Sequence, residues 1–522
     1  MDHPPAVLRV SLLASYTVDP LVPYLGIGLH DLGLPPEITV APFNQIVQQC
    51  LDDTAETARF APDVLVVAPR FEEVWPAESP GRNPDPGPYQ DHLLTLADAA
   101  LAAADRWVAC LLFVLPAIPE RLPFGVGDHL SSRSVVATAT GVRERLRRRL
   151  ENRPNALVAD AEAVVRAIGG RNAHHEALYQ VAKIPYTEEV FAALGEQLTR
   201  VLRLRYAPPT RAVIIDGSAF AAGVPDSPDP ATVGTLLDEL DRHGIRVGWH
   251  GRCPDPIHLP ATVVGGATSG AGDGPPALAG RLRTLLDDWE LAPEELVVLA
   301  GADQQEVPPG VRTVSLPPEP AGWLPASRAA GLFDRFPPSS GDVAPAPGVG
   351  PTEPAAPPGT DRQVSLTDYI ASLNVTIDWR PAGPDDSARL AEMLIRTKDF
   401  TLGLERTEAD LAAALAEGTS EIRLAQVRDR FGDYGLGAAI GVRQGDAGPE
   451  VDLLLVSCPA LGKGVEEVAL REILELLPAA ETDSISVPYR DTGRNGLAIE
   501  FLRRAAATGD EPHRRLRLVR QR

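Results

Sequence analysis

Lysine is almost missing from this chain. Lys183, Lys398 and Lys463 are its only lysines, although Lys and Arg together number 49 in 522 residues. The 51 prolines and the plentiful alanine and glycine fit a GC-rich coding sequence, which drives basic positions toward arginine. A lysine kept in that background is a candidate for function, because an ammonium and a planar guanidinium are not interchangeable at a site. Chance retention is the alternative. Cysteine is scarce too. Cys50, Cys110, Cys253 and Cys458 stand far apart, with no CxxC pair or metal-ligand spacing, so no metal site or disulfide framework is expected. No apolar run is long. The longest, residues 107–118, is too short to span a bilayer. The opening MDHPPAVLRV lacks a basic stretch followed by an apolar one, so no signal peptide is expected and a cytoplasmic location is. Acidic residues number 71, and the net charge of −22 argues against a general nucleic-acid binder.

What is present is material for real cores. Hydrophobic residues make up 44% of the chain, which excludes a disordered protein. The length suits about three domains. The clearest boundary is 337–358, where eight of 22 residues are proline, and it reads as a semi-extended linker. A second boundary falls at YAPPTR, 206–211. The predicted division is 1–206, 207–336, a linker over 337–366, and 367–522. In the first region strand-like runs (7–13, 38–41, 64–68, 107–115, 156–160) alternate with helical segments (21–32, 43–51, 93–106, 136–152, 188–205). That alternation predicts a parallel α/β sheet. The middle region repeats it, with strands at 213–216, 246–249, 296–299 and 313–316 and helices at 230–243 and 278–289. The last region reads as α+β, with strands at 375–379, 422–427, 435–443 and 450–456 and helices at 385–397 and 465–477.

Four places carry possible chemistry. In RAVIIDGSAFAAGV, 211–224, a β-run delivers Asp216 to its C-terminal end, and a small-residue loop and a helix follow. A doubly wound α/β domain presents a nucleophile in that way. Cys458 follows a predicted strand and precedes Gly462, Lys463 and Gly464, which open a helix. A thiol beside a helix start and a lysine has a lowered pKa and can carry a thioester. A buried core cysteine is the other reading. Backbone N–H groups at Leu461–Gly464 suit a phosphate anion, or form an ordinary turn. Ser15, after the first strand, is either a nucleophile with His174 or His175 as its base or, with Thr17, a helix cap. Asn44 and Gln45 are polar positions with no assigned role. The arginine clusters 143–153 and 503–522 either steer an acidic partner or form solvated faces.

In order along the chain, these regions resemble the FkbH-like (HAD-IIIC type) family of natural-product biosynthesis. The resemblance rests on LLASYTVDPL (12–21), APFNQIVQQCLD (41–52), APDVLVVAPRFEE (61–73) and LYQVAKIPYTEEVFAALG (178–195). It continues in RTKDFTL (396–402), RFGDYGLGAAIGVR (430–443), LLLVSCPALGKGVEEVAL (453–470) and Asn495. It implies an SGNH hydrolase-like parallel α/β domain, a HAD-like Rossmannoid domain and a C-terminal GNAT-like α+β domain. Family members load a glyceryl group from an acyl phosphate onto an acyl carrier protein as a thioester. The resemblance points to Cys458, Ser15 and Lys183 for catalysis. It points to Leu461, Gly462, Lys463, Gly464 and Asn495 for the pantetheine arm of a carrier protein or CoA. In the middle region the phosphatase pattern fails. Ser218 replaces the second Asp after Asp216, Gly251 replaces the phosphate-binding Ser, and no lysine is present. Ala300, Gly301, Ala302 and Asp303 stand where Mg²⁺ ligands belong. Asp216, Ser218 and Asp303 thus read as a vestigial site, with no metal and no required cofactor. The expected function is acyl handling on a carrier protein. The alternatives are a non-catalytic scaffold for a carrier or partner enzyme, and an acyl-CoA-dependent N- or O-acyltransferase.

Loss of the acid/base Asp, the Mg²⁺ carboxylates and the phosphate lysine removes groups that each contribute orders of magnitude in rate. The purified chain is expected to show no Mg²⁺-dependent phosphatase activity. A phosphatase rate abolished by Asp216→Asn contradicts this.

Overall fold

A computed structural model describes residues 7–72, 87–120, 122–132, 134–151, 153–216, 230–250, 278–301, 306–336, 365–445, 448–477, 484–506, 508–510 and 515–519. The expected linker 337–358, Ser218, Gly251, Cys253 and Asp303 lie outside these residues. The described residues of Val7–Gly26, Pro36–Gly195 and Pro358–Arg522 form one compact unit, and those of Ile27–Pro35 and Glu196–Pro357 another. The first and last regions of the sequence thus share a unit.

Five strands make the first sheet: β1 Leu8–Ala14, β2 Pro36–Val40, β3 Val64–Ala68, β4 Cys110–Leu115 and β5 Ala156–Asp160. They run parallel in the order β2-β1-β3-β4-β5. β3 and β4 are buried on both faces, as continuous apolar runs covered by helices on each side must be. The order reverses at β1, so the crevice beyond the ends of β1 and β3 is the natural ligand position. The helix Gly87–Trp107 reaches further than the sequence predicted, and β4 begins only at Cys110. Val108, in a left-handed conformation, makes the turn between them.

The second sheet holds β6 Ala212–Asp216, β7 Arg246–His250, β8 Leu296–Ala300 and β9 Arg312–Ser315. It too is parallel, in the order β7-β6-β8-β9, with Asp216 at the C-terminal end of a central strand. The third sheet holds β10 Thr376–Pro381, β11 Ser420–Asp429, β12 Gly432–Gly445, β13 Gly448–Val456, β14 Ser484–Pro488, β15 Thr508–Asp510 and β16 Arg515–Val519. Its order is β10-β11-β12-β13-β14-β16-β15. All pairings are antiparallel except β13 with β14, which meet at a single register pair, Glu450 opposite Ser486. Beyond that pair the two strands part, and Val456 ends at the open side of the splay. The sequence missed β14 to β16, which are short, the helix Glu408–Glu417, which is alanine-rich with weak periodicity, and the amphipathic helix Gly496–Ala505.

The first and third sheets are joined by shared core. The helix Leu366–Ser372, which the sequence did not predict, straddles the expected end of the linker and starts at an N-cap where Ser365 accepts from the Asp368 N–H. Its Tyr369 and Leu373, with Phe431 from the β11–β12 turn, are buried in the same cluster as Ile46, Val47, Phe71 and Leu93 of the first region. His92 lies between Tyr369 and Phe431, with ring centroids 6.0 and 4.6 Å away. Its Nδ1 is buried without a hydrogen-bond partner.

Burial pushes the His92 imidazole down to about 3, helped by Arg430 and Lys463. The folded pKa lies below the unfolded one, so the unfolded chain binds the proton more tightly. The His92 contribution to stability is therefore complete above pH 6.5 and lost as pH falls toward 3. His92→Phe is expected to remove about 2 kcal/mol of the stability loss between pH 7 and pH 5. Urea titrations of both proteins at the two pH values measure it, and equal pH slopes contradict it.

Candidate functional site

A large cleft, about 1880 Å³, lies in the unit built from the first and last regions. One wall comes from the ends of β1 and β2 and from residues 180–183. The other comes from residues 395–399, 457–461 and 489–500. Seven Lys and Arg side chains and six Asp and Glu line it, against 49 and 71 in the whole sequence. The cleft is therefore much less acidic than the chain around it. Two of the three lysines, Lys183 and Lys398, stand on opposite walls. Arg59 and Glu500 pair at 3.1 Å between the walls, both substantially exposed.

Cys458 lines this cleft just past β13, in a short 3₁₀ turn. Its surroundings differ from those expected. The Sγ donates to Asp399 Oδ2 at 3.8 Å. Burial first, then the Asp399 carboxylate, pushes the thiol up to about 11 rather than down. Only on the order of 10⁻⁴ of it is thiolate at pH 7. The lysine meant to activate it points elsewhere. Lys463 Nζ donates to Asp429 Oδ2 at 2.7 Å and to the Tyr434 hydroxyl at 2.5 Å. Its side chain is 6% exposed and that of Asp429 is fully buried. Tyr434 in turn donates to Asp429 at 2.7 Å.

The loop Leu461–Gly464 is likewise already occupied. The Gly462 N–H is bound by the Glu466 carboxylate of its own helix. The Gly462 carbonyl accepts from Gln48 Nε2 of the first region at 3.0 Å. Gly462 has a φ of +74°, and a Cβ there would stand 2.8 Å from Gln45 Cδ. A glycine is required by both facts. So the turn at Gly462 is a seam between two regions, and a phosphate would have to displace Glu466 to reach it. Gln45, unassigned from sequence, closes this seam. Asn495 is also a structural residue. It is fully buried, accepts from Thr492 N and Oγ1, and donates to the carbonyls of Thr401 and Arg490. All its hydrogen-bonding capacity in these four contacts serves to tie residues 401–403 to 490–495. Of the proposed pantetheine residues, only Leu461 lines the cleft.

Ser15 lies at the switch point of the first sheet and is 2% exposed. Its Oγ accepts from the Arg70 N–H at 2.8 Å, across the ends of β1 and β3. Neither it nor Thr17 caps a helix, since Thr17 donates instead to the Ala182 carbonyl and the nearby 3₁₀ turn starts from Val18. Around Ser15 cluster Tyr16 and Tyr186, edge to face at 5.6 Å, and the Arg70 guanidinium, 5.0 Å from the Tyr179 ring. Lys183 Nζ sits 4.7 Å over that same ring. His174 faces Glu120 at 3.8 Å, and burial lowers its pKa. Lys183 and Cys458 thus reach one cleft, whereas Ser15, buried between the lining residues Ala14 and Tyr16, does not line it.

The residues missed from sequence are Asp399 and Arg494. Arg494 stands 3.8 Å from Asp399. The retained lysine at 398 was the available signal for that corner. The arginine cluster 143–153 is largely spent on its own acids: Arg143 on Asp160, Arg148 on Glu144, Arg149 on Asp98. Arg503 lines the cleft, and much of 503–522 lies outside the described residues.

In the other unit, Asp216 is 2% exposed and sits opposite His250 on β7. Burial lowers the His250 pKa, Asp216 opposes the shift, and Arg281 adds to it. Among the described residues no cluster of His, Cys, Asp and Glu has metal-binding geometry, and no helix is long and apolar enough to cross a membrane.

The Glu466 carboxyl, buried at the seam, is pushed up to about 7 by desolvation. Its folded pKa exceeds the unfolded value, so its contribution to stability is full below pH 4.5 and lost as pH rises through 7. Glu466→Gln keeps an acceptor for Gly462 and is expected to stabilise the protein at pH 8 by on the order of 1–3 kcal/mol, with little effect at pH 5. Thermal or urea unfolding measures this, and a destabilised variant at pH 8 contradicts it.

No protein-family model and no curated protein matches the chain. Among solved structures, the N-terminal part of protein BF1531 from Bacteroides fragilis, which contains a phosphatase domain and was crystallised with Mg, is similar at 14% identity. Its TM-score is 0.50, and the match covers 63% of this chain and 94% of that one. A Slackia heliotrinireducens protein proposed as an SGNH hydrolase gives 13% identity and a TM-score of 0.26, over 38% of this chain and 99% of that one. The GCN5-related glucosamine N-acetyltransferase region of a fungal multi-domain GH3 β-N-acetylglucosaminidase gives 14% and 0.21, over 94% and 61%. The expected fold class holds on the sheets themselves. They are a five-stranded parallel α/β sheet, a four-stranded parallel α/β sheet, and a seven-stranded sheet of an α+β region that is antiparallel except where β13 meets β14.

Proposed function

We propose that this chain is an FkbH-like biosynthetic protein that handles an acyl group of the glyceryl type while it is borne on an acyl carrier protein. The handling takes place in the cleft between the first and last regions. The observation that carries this reading is the cleft itself. It encloses about 1880 Å³ and is lined by Lys183, Lys398, Arg396 and Arg494 in a chain of net charge −22. An acidic carrier and a phosphate-bearing arm are drawn to such a local excess of cations. Free CoA carries the same arm and serves as an alternative donor.

The step favoured is direct transfer from the thioester to an acceptor bound in the cleft. A thiol at about 11, donating to Asp399, is a poor nucleophile at neutral pH. In direct transfer, acceptor and thioester gain from being held together in one site. Asp399, half-exposed and flanked by Arg494, accepts the acceptor's proton as the new acyl bond forms and the thioester C–S bond breaks, and returns that proton to the departing pantetheine thiolate, which leaves as the free thiol. The same elevated thiol and the filled Gly462 turn also favour a second reading, a scaffold that binds a carrier without turnover.

Incubation with a carrier protein charged with a labelled acyl group, followed by intact-mass analysis, separates these. The expected result is carrier binding with no label on the chain. Cys458→Ala is expected to retain turnover, and Lys398→Glu to weaken carrier binding about tenfold. Stoichiometric label on Cys458 refutes direct transfer. Binding that persists unchanged in Lys398→Glu and Arg494→Glu refutes the cleft.

A further inference from the structure

The unit that contains Asp216 holds a second cavity, at the opposite edge of its sheet. It measures about 300 Å³ and is formed by the end of the helix Glu188–Tyr206, residues 207–211 before β6, His243 and Gly244 before β7, and residues 334–336. These segments precede the strands, so nothing in the cavity belongs to the vestigial phosphatase edge.

Three guanidiniums converge beneath it around one carboxylate. Arg200 takes both oxygens of Asp334, at 2.7 and 2.6 Å. Arg203, 8% exposed and part of the cavity wall, is left with neutral partners. It donates to Thr210 Oγ1 at 3.1 Å and to the Gly331 carbonyl at 3.4 Å. Arg312 donates to the same Thr210 oxygen at 3.3 Å and to the Ala330 carbonyl at 3.4 Å. Its Nε is buried with no hydrogen-bond partner. Nearby, Glu196 acts on Arg200, and Glu295 is taken by Arg211.

A buried charge without a counter-charge is unfavourable, and two of them sharing one hydroxyl are more so. Burial lowers the pKa of Arg203, and burial with repulsion from Arg203 brings Arg312 down to about 9. Guanidinium does not give up its proton readily, so the remaining relief is an added anion. Arg211, His243, Asp334 and Arg335 also line the cavity, and Leu204, Pro208, Pro209 and Phe336 give it an apolar side.

We propose that this cavity binds a small organic oxyanion. Its carboxylate or phosphate-monoester head pairs with Arg203, and an apolar body about the size of a phenyl ring packs on Leu204, Pro208, Pro209 and Phe336. The head matches a guanidinium fork. The volume falls at the small end of ligand cavities. The site stands apart from the acyl-handling cleft and holds or fails independently of it.

Calorimetric titration of the full chain with benzoate, phenyl phosphate and benzyl alcohol tests this. Benzoate or phenyl phosphate is expected to bind at one equivalent per chain, and benzyl alcohol at least about tenfold more weakly. Which anion binds better identifies the head group. Arg203→Met is expected to abolish anion binding while keeping or raising the melting temperature, since it removes an uncompensated cation. Phe336→Ala leaves the buried charges untouched and is expected to weaken binding about tenfold. The proposal is overturned if neither anion binds at millimolar concentration, or if binding survives Arg203→Met unchanged. Should Arg203→Met fail to fold, unchanged affinity in Phe336→Ala overturns it instead.

Discussion

The ion pair of Lys463 with Asp429 is the contact on which the cleft depends. Both side chains are out of water, and Tyr434 bridges them. Removing either partner would strand a buried charge, a loss of about 3–5 kcal/mol in comparable cases. The pair fixes the turn between β11 and β12. Asp429 also accepts from the N–H groups of Phe431 and Gly432. Phe431 at the tip of that turn is buried in the core of the first region, against His92. On its other side, the Lys463 turn hands the Gly462 carbonyl to Gln48. One buried ammonium therefore orients two of the contacts that hold the walls together.

That use of Lys463 explains why the helix start behind it is not an anion cradle. A cradle needs free N–H groups and open approach. Here Glu466 accepts from Gly462, and Gln45 covers the turn. Attraction for an anionic arm is left to exposed side chains, Lys398, Arg396 and Arg494, which act over a longer range and are screened by salt. The thiol follows the same logic. Burial and the Asp399 carboxylate outweigh the opposing pull of Arg494, and Cys458 stays protonated.

The fold class and most strands were legible because apolar β-runs such as 64–68 and 296–300 carry their own signal. The seam was not. Gln45 and Gln48 lie more than four hundred residues from Gly462, and no periodicity links them. Lys463 was noticed as a lysine retained in an arginine-rich chain, but sequence could not say whether its ammonium faced solvent or Asp429. Asn495 was flagged by the family resemblance and proved to be a four-bond brace. Lys183 fared better, since its place after β5 and before the helix Glu188–Tyr206 carries it to the cleft wall. Arg203 and Arg312 gave no signal, because only the packing shows that their acids are spent elsewhere.

The most direct test of the account is hydrogen exchange on the full chain with and without an acylated, acidic carrier protein. The account predicts slowed exchange at 180–183, 395–399 and 489–497, the two walls of the cleft. It predicts no change at 462–466, where the N–H groups are already engaged. Protection centred on 462–466, with the cleft walls unaffected, would contradict it.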